Sequence, residues 1–185
     1  MNDSDSLSTP LDRAWLRRAA FHYLERYATS EANLERVLRR KIARRHPDPP
    51  PAEVVADAIA VVLDACRDLG LLNDAGFAEM KAASGRRKGM SAKKLVGVLT
   101  VKGIDRAAAE QAVAQAEGDD RQAAIRFARR RRLGPWQTRP GDDRHQKDIA
   151  ALCRAGFGYG LAREVAGMTA DEAEAELAAP QGDIE

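Results

Sequence analysis

LGLLNDAGFAE, residues 69–79, decides the fold. Gly70 stops a helix, because glycine adopts the left-handed backbone of a C-terminal cap without a side-chain clash. Leu71 and Leu72 can seal a corner, and Asn73 or Asp74 carries the short oxygen acceptor that caps a new helix. Phe77 then anchors that helix from within its first turns. The stretch reads as a helix-to-helix corner, the joint of an all-helical chain.

Upstream, Pro51 can begin a helix whose inner face holds Val55, Ile59, Val62, Cys66 and Leu69. HPDPPPAE, residues 46–53, cannot be helical inside its proline run and reads as a short stiff connector. Before it, Ser30 can cap a helix with Leu34, Val37, Leu38 and Ile42 inside. That helix ends in Arg44, Arg45 and His46, cations that suit the negative end of the dipole. Thr9, Pro10 and Asp12 open the first helix, with Thr9 as cap and Leu16, Ala20, Tyr23 and Tyr27 on one face. Residues 1–8 are polar and are expected to be disordered.

Downstream, SGRRKGMS, residues 84–91, reads as a basic glycine loop. Ser91 caps a fifth helix with Leu95, Val98 and Leu99 inside, closed by Gly103. Asp105 caps a sixth helix holding Ala109, Ala112, Val113 and Ala116. Asp119 or Asp120 caps a seventh holding Ala124, Phe127 and Ala128. Residues 133–143, LGPWQTRPGDD, read as a loop. An eighth helix carries Ile149, Leu152 and Cys153, and a ninth carries Leu161 and Val165. Thr169 with Glu172 forms a capping box that opens a last acidic helix.

A long helix, a basic helix and a shorter apolar helix recur three times in this order. KLVGVLTVKGI (94–104) resembles NLERVLRRKI (33–42), and LCRAGF (152–157) resembles LTVKGI (99–104), which pairs Gly103 with Gly156. Each copy is too small to hold its own core and would be stabilised by its neighbour. The expected architecture is an elongated, curved stack of three tandem three-helix repeats. They cover 9–70 (with a connector at 46–52), 73–117 and 119–167, followed by an acidic extension over 168–185.

The chain's 30 cations and 28 acids leave a formal net charge of +2, so the total says little about partners. The distribution says more. Residues 80–104 and 121–141 contain no acid, and no Lys or Arg follows Arg163. Such a one-sided field points to an anionic partner. Hydrophobic residues are 44% and aromatics 5%, which suits a helical core. Cys66 and Cys153 read as reduced core residues. The polar N-terminus is no signal peptide and no apolar run reaches spanning length, so a cytoplasmic protein without a membrane partner is expected. Capped short helices and a mixed surface favour a monomer.

The corner LGLLNDAGFAE, then GRRKG, then KKLVGVLTVKGI, resembles the RecX family of bacterial recombinase regulators. RYATSEANLERVLRRK resembles that family's first-repeat segment. LCRAGFGYGLAREV, with Arg154, a Gly-Phe pair and an aromatic two residues on, resembles its third. The resemblance spans 14–165. It implies a helical-repeat protein that lies in the groove of the RecA–DNA filament. Its expected role is to restrain RecA ATP hydrolysis, strand exchange and coprotease activity in homologous recombination, DNA repair and the SOS response. The longer proline connector, the WQTRP loop and the acidic tail depart from the family pattern.

The candidate filament-binding residues are Arg86, Arg87, Lys88, Lys93, Lys94, Lys102, Arg126, Arg129, Arg130, Arg132, Arg139 and Arg154. Arg86, Arg87 and Lys88 between glycines suit a loop that meets acids or phosphates, and equally a solvated turn. Lys94 and Lys102, eight residues apart, share roughly one helix face. Four consecutive arginines, 129–132, span more than a turn. Arg129 and Arg132, three apart, can act together, though the run also suits the helix dipole. Trp136 beside Arg139 suits base stacking, or anchoring of its own loop. His22, His46 and His145 have no partner at ligand spacing, and neither a phosphate loop, a nucleophile elbow nor a zinc spacing occurs. GFGYG (156–160) follows a helix rather than a strand, which weakens a nucleotide-binding reading. A non-enzyme with no cofactor is expected. The rival reading is a sequence-independent DNA-binding repeat protein that needs no RecA.

Overall fold

The structure is a computed structural model, and it describes residues 11–48, 50–138, 141 and 143–179. Among them the chain is all-helical, with ten α-helices and no strand. They are α1 (Arg13–Leu24), α2 (Glu31–Arg45), α3 (Ala52–Asp68), α4 (Asp74–Arg87), α5 (Ala92–Val101), α6 (Arg106–Gln115), α7 (Asp120–Arg131), α8 (Arg144–Arg154), α9 (Tyr159–Gly167) and α10 (Ala170–Ala178). The chain divides into two compact units. Of the described residues, one unit holds those up to Phe77 with 102–104, and the other holds 78–101 with those from Asp105 onward.

In the first unit, α1, α2 and α3 close around Leu16, Leu34, Leu38, Ile42, Ile59, Val62 and Cys66, with Leu72 of the corner sealing one end. Leu69 departs from its expected inward place and is 63% exposed. It is the residue after α3, where the chain is already turning into the left-handed Gly70 (φ 66°), so its side chain leaves the helical stripe. At 17 residues α3 is longer than α1 or α2, contrary to the expected short third helix. Pro51 sets its start and Gly70 its end, and an apolar stripe runs between them. Tyr27, also expected on the inner face, is 56% exposed because α1 ends at Leu24. Thr9 and Pro10 lie outside the described residues, and the side chain that caps α1 is Asp12, which accepts from the Trp15 N–H at 2.9 Å.

In the second unit, Ala123, Ala124, Ile125, Ala128, Ile149, Leu152, Phe157, Ala162 and Val165 form the core around α7, α8 and α9, while α5 packs on α6. Ala173 of α10 is fully buried in that core, with Leu177 against it. The acidic extension is therefore part of the packed unit over its helix. The capping box at Thr169 and Glu172 is present. The loop over 133–143 contains a short 3₁₀ turn, Gly134–Trp136. It is pinned by the buried Asp148, whose carboxylate accepts from the Gly134 N–H at 2.8 Å.

Two serines build the same joint in each unit. Ser30 caps α2 by accepting from the Asn33 N–H at 3.3 Å, and its hydroxyl donates to the Lys102 carbonyl. Beside it the Glu31 N–H donates to the Asp74 carboxylate at 2.8 Å. Ser91 caps α5 by accepting from the Lys94 N–H at 3.3 Å, and donates to the Ala155 carbonyl at 2.8 Å. The Ala92 N–H donates to Asp120 at 2.7 Å. Asp74 and Asp120 each open a helix whose cap is the preceding residue, Asn73 or Asp119. Gly103 and Gly156, which follow the two accepting carbonyls, have φ of 90° and 98°. A Cβ on Gly103 would lie 2.3 Å from the Ala32 Cβ, and one on Gly156 would lie 2.5 Å from the Ser91 Oγ.

Candidate anion-binding surface

The stretch read as a loop, residues 84–91, is largely helix. α4 continues to Arg87, so only Lys88 and Gly89 turn before Ser91 starts α5. Gly85 sits within α4 because a Cβ there would come 2.2 Å from the Leu95 Cδ2. Gly89 makes the turn with φ 71° against the backbone of Ala123 and Phe127. Helix geometry then scatters the three cations. Arg86 points inward, 6% exposed, and forms an ion pair with Asp120. Arg87 and Lys88 are exposed. Arg86 was expected to meet a partner; its ion pair with Asp120, the first residue of α7, makes it an internal strut.

The other predicted cations also separate by neighbour. Arg87 and Arg126 line one concavity of about 310 Å³ with Glu117 and Gln122, whose amide oxygen accepts from Arg126 at 3.1 Å. Arg129 pairs with Glu174 of α10 at 3.2 Å. Arg130 donates to the Lys88 carbonyl at 2.6 Å. Arg132 is the C-cap of α7, at φ 55°, so it has left the helix and the expected pairing of Arg129 with Arg132 on one face does not form. Lys102 lies beyond the end of α5, and its Nζ donates to the Asn33 side chain at 3.2 Å, so it does not extend the Lys94 face. Lys93 is exposed at the start of α5. Arg139 lies outside the described residues. Trp136 is half-buried against the core of the second unit, the loop-anchor alternative.

A second pair of predicted residues converges where no acid among the described residues lines the surface. Lys94 of α5 and Arg154 at the end of α8 line a concavity of about 390 Å³, and Arg131 of α7 joins them. Its apolar lining is Phe127, Leu133, Ala151 and Ala155, and among the described residues no acid contributes. Lys94, Arg131 and Arg154 are exposed, and among the described residues none of the three is held in an ion pair. The Arg131 guanidinium lies 6.0 Å from the Phe127 ring centroid, a distance that favours a cation over the ring face. Three cations over an apolar floor can take a carboxylate or a phosphate without first breaking an internal salt bridge.

Arg131 entered the sequence reading only as a member of the run 129–132 and not as a candidate in its own right. Its one local signal is its place four residues after Phe127, which puts both on one face of α7. Arg121 was also missed. It is gripped by Glu176 of α10 (2.6 Å) and by Glu164 of α9 (2.6 Å), and the Glu176 hydrogen bond raises its pKa, so it stays charged and occupied. No group of three His, Cys, Asp or Glu side chains that could hold a metal occurs among the described residues. No described helix is long and apolar enough to cross a membrane.

No profile of a known protein family matches the chain. It resembles solved RecX structures in fold. One, a regulatory protein RecX, superposes with a TM-score of 0.60 at 18% identity, over 83% of this chain and 70% of the other. RecX from Lactobacillus salivarius superposes with a TM-score of 0.58 at 22% identity, over 90% and 96%. In sequence, regulatory protein RecX of Agrobacterium fabrum is 33% identical over 162 residues, 87% of this chain and 86% of that protein. Regulatory protein RecX of Myxococcus xanthus is 40% identical over 157 residues, 82% of this chain and 83% of that protein. Sequence identity of this level, over most of both chains and on the same fold, means that the chain belongs to the RecX family of regulatory proteins.

Proposed function

We propose that this chain is a non-enzymatic regulator of RecA. It binds the RecA filament on DNA and restrains ATP hydrolysis, strand exchange and coprotease activity. The single observation that carries the reading, beside family membership, is the acid-free concavity. Lys94, Arg131 and Arg154 come from positions far apart in sequence and meet over an apolar floor. Exposed and without an ion-pair partner among the described residues, these three charges contribute little to stability. Their convergence is explained by an anionic partner. The recurring serine joint supports a chain built as three successive helical repeats, which would present such surfaces in series.

The test is single-strand-DNA-dependent ATP hydrolysis by RecA, with this protein titrated well below equimolar. Loss of hydrolysis at low ratios is expected, and replacing Lys94, Arg131 and Arg154 together with alanine should relieve it while the protein keeps its thermal midpoint. Inhibition only at ratios that coat the DNA would replace this reading with sequence-independent DNA binding. In that case affinity would fall steeply with salt, and the triple variant would lower the salt slope by about 3.

A further inference from the structure

Gly97 stands in the middle of α5, and nothing among the described residues accounts for it. Glycine weakens a helix interior, and it persists there where a backbone must be approached closely. Gly103 and Gly156 are imposed by their own neighbours, but a Cβ on Gly97 would meet no atom within 4 Å. Lys94, Gly97, Val98 and Val101 recur at the spacing that places them on one face of the helix. Leu95 and Leu99 fill the opposite face and are buried. Val98 was expected inside with them; it is 39% exposed, and Val101 is 69% exposed. The outer face of α5 therefore runs from a cation that lines the acid-free concavity, past a bare stretch of backbone, to two exposed valines.

We propose that this face docks a protein helix of mixed acidic and apolar character. The helix lies close to the backbone at Gly97, packs on Val98 and Val101, and places a carboxylate in the concavity of Lys94, Arg131 and Arg154. The inference rests on the proposed function, because it takes the docking helix from the filament protein. Charge complementarity selects an acid for the concavity. A phosphate backbone would satisfy the three cations but leaves the valines and the glycine unexplained. A helix with small or apolar residues beside its acid explains all of them.

Gly97→Leu tests this directly. Leucine is the better helix former and its Cβ meets open space among the described residues, so the variant should keep or raise the thermal midpoint while blocking close approach. Binding is measured to RecA filaments on single-stranded DNA and to the same DNA alone. Filament affinity should fall about tenfold or more, the loss expected when a central contact is blocked, with affinity for bare DNA unchanged. Equal filament binding by variant and parent overturns the inference and leaves the proposed function standing. Failure of the unaltered protein to bind or inhibit RecA overturns both. If Gly97→Leu lowers the thermal midpoint, Val98→Ser decides: a loss for filaments alone supports the docking face, and no loss overturns it.

Discussion

Replacing Arg86 with alanine should cost stability out of proportion to a cation in a basic segment. Its side chain is 7% exposed and its guanidinium is paired with Asp120, which is itself 37% exposed. Removing one partner of a fully buried pair costs about 3–5 kcal/mol. The cost here is lower for two reasons. Asp120 keeps water on one side and still accepts the Ala92 N–H at 2.7 Å. Arg86 also carries a buried Nε with no partner among the described residues, so the pair is less favourable than a fully bonded one. Loss of the packed aliphatic stem acts in the other direction. The balance is about 2–3 kcal/mol, or roughly 5–10 °C in thermal midpoint for a chain of this size. Urea unfolding followed by far-ultraviolet circular dichroism measures it, with Arg87→Ala as the control, since an exposed cation should cost no more than about 0.5 kcal/mol. Asp120→Asn should be comparably destabilising, because it strands a buried guanidinium. If Arg86→Ala unfolds with the Arg87→Ala curve, the strut reading is wrong and Arg86 returns to the list of partner contacts. The same geometry makes a joint alanine replacement of Arg86, Arg87 and Lys88 a poor test of binding, since it would damage the fold.

Gly103→Ala and Gly156→Ala should each lower the thermal midpoint. Both demand a left-handed φ and insert a Cβ at 2.3 or 2.5 Å from a neighbour. A cost of at least about 1–3 kcal/mol follows for each, and a neutral effect at either would refute the reading of the joint. Burial pushes the Cys66 thiol above its ordinary value, so it should react with a thiol reagent only on unfolding, while half-buried Cys153 reacts first; mass mapping of the labelled cysteine checks the order. The Thr169 N–H and hydroxyl hold the Glu172 carboxyl below its ordinary 4.5. A lowered carboxylate contributes stability that is present above 4.5 and lost as pH falls through the folded value, so its carbon-13 titration should have a midpoint below 4.5. A midpoint at or above 4.5 would mean that the capping box does not hold in solution.

What was legible in the sequence was local. Ser30, Ser91, Asp105 and Thr169 were each placed as caps from a short oxygen before an apolar period, and each caps in the structure; of the alternatives Asp119 and Asp120, Asp119 is the cap. The corner at 69–79 was legible for the same reason, since Gly70 and Asn73 act on backbone within a few residues. What was not legible was long-range. Arg86 and Lys88 are both cations of one basic segment, and only the return of Asp120, distant in sequence, holds Arg86 inward while Lys88 stays exposed past the end of α4. Arg129 and Arg131 look alike as members of one run. They differ because α10 returns Glu174 to one, while the end of α8 brings Arg154 beside the other. A negative C-terminal segment was visible in composition, but that its helix buries Ala173 and occupies Arg121 and Arg129 depends on tertiary return.

The serine joint shows why composition alone understates the order in this chain. As caps, Ser30 and Ser91 are equivalent to Asp105 and Asp119, because each offers one oxygen to a free N–H at a helix start. An aspartate can only accept. A serine hydroxyl accepts from its own helix and also carries a hydrogen to give away, and here that hydrogen goes to the carbonyl of Lys102 or Ala155. Both serines are completely buried, whereas Asp105 and Asp119 are exposed. A carboxylate in either place would set a desolvated charge against a carbonyl oxygen, which burial penalises heavily. The choice of cap therefore separates helix starts that close a joint from helix starts that face water. It also ties the joint to the glycine after each accepting carbonyl, which must leave room for the segment that the serine begins. Serine at the cap, glycine after the carbonyl and aspartate on the next N–H form one unit of packing, repeated with about the same bond lengths at both joints.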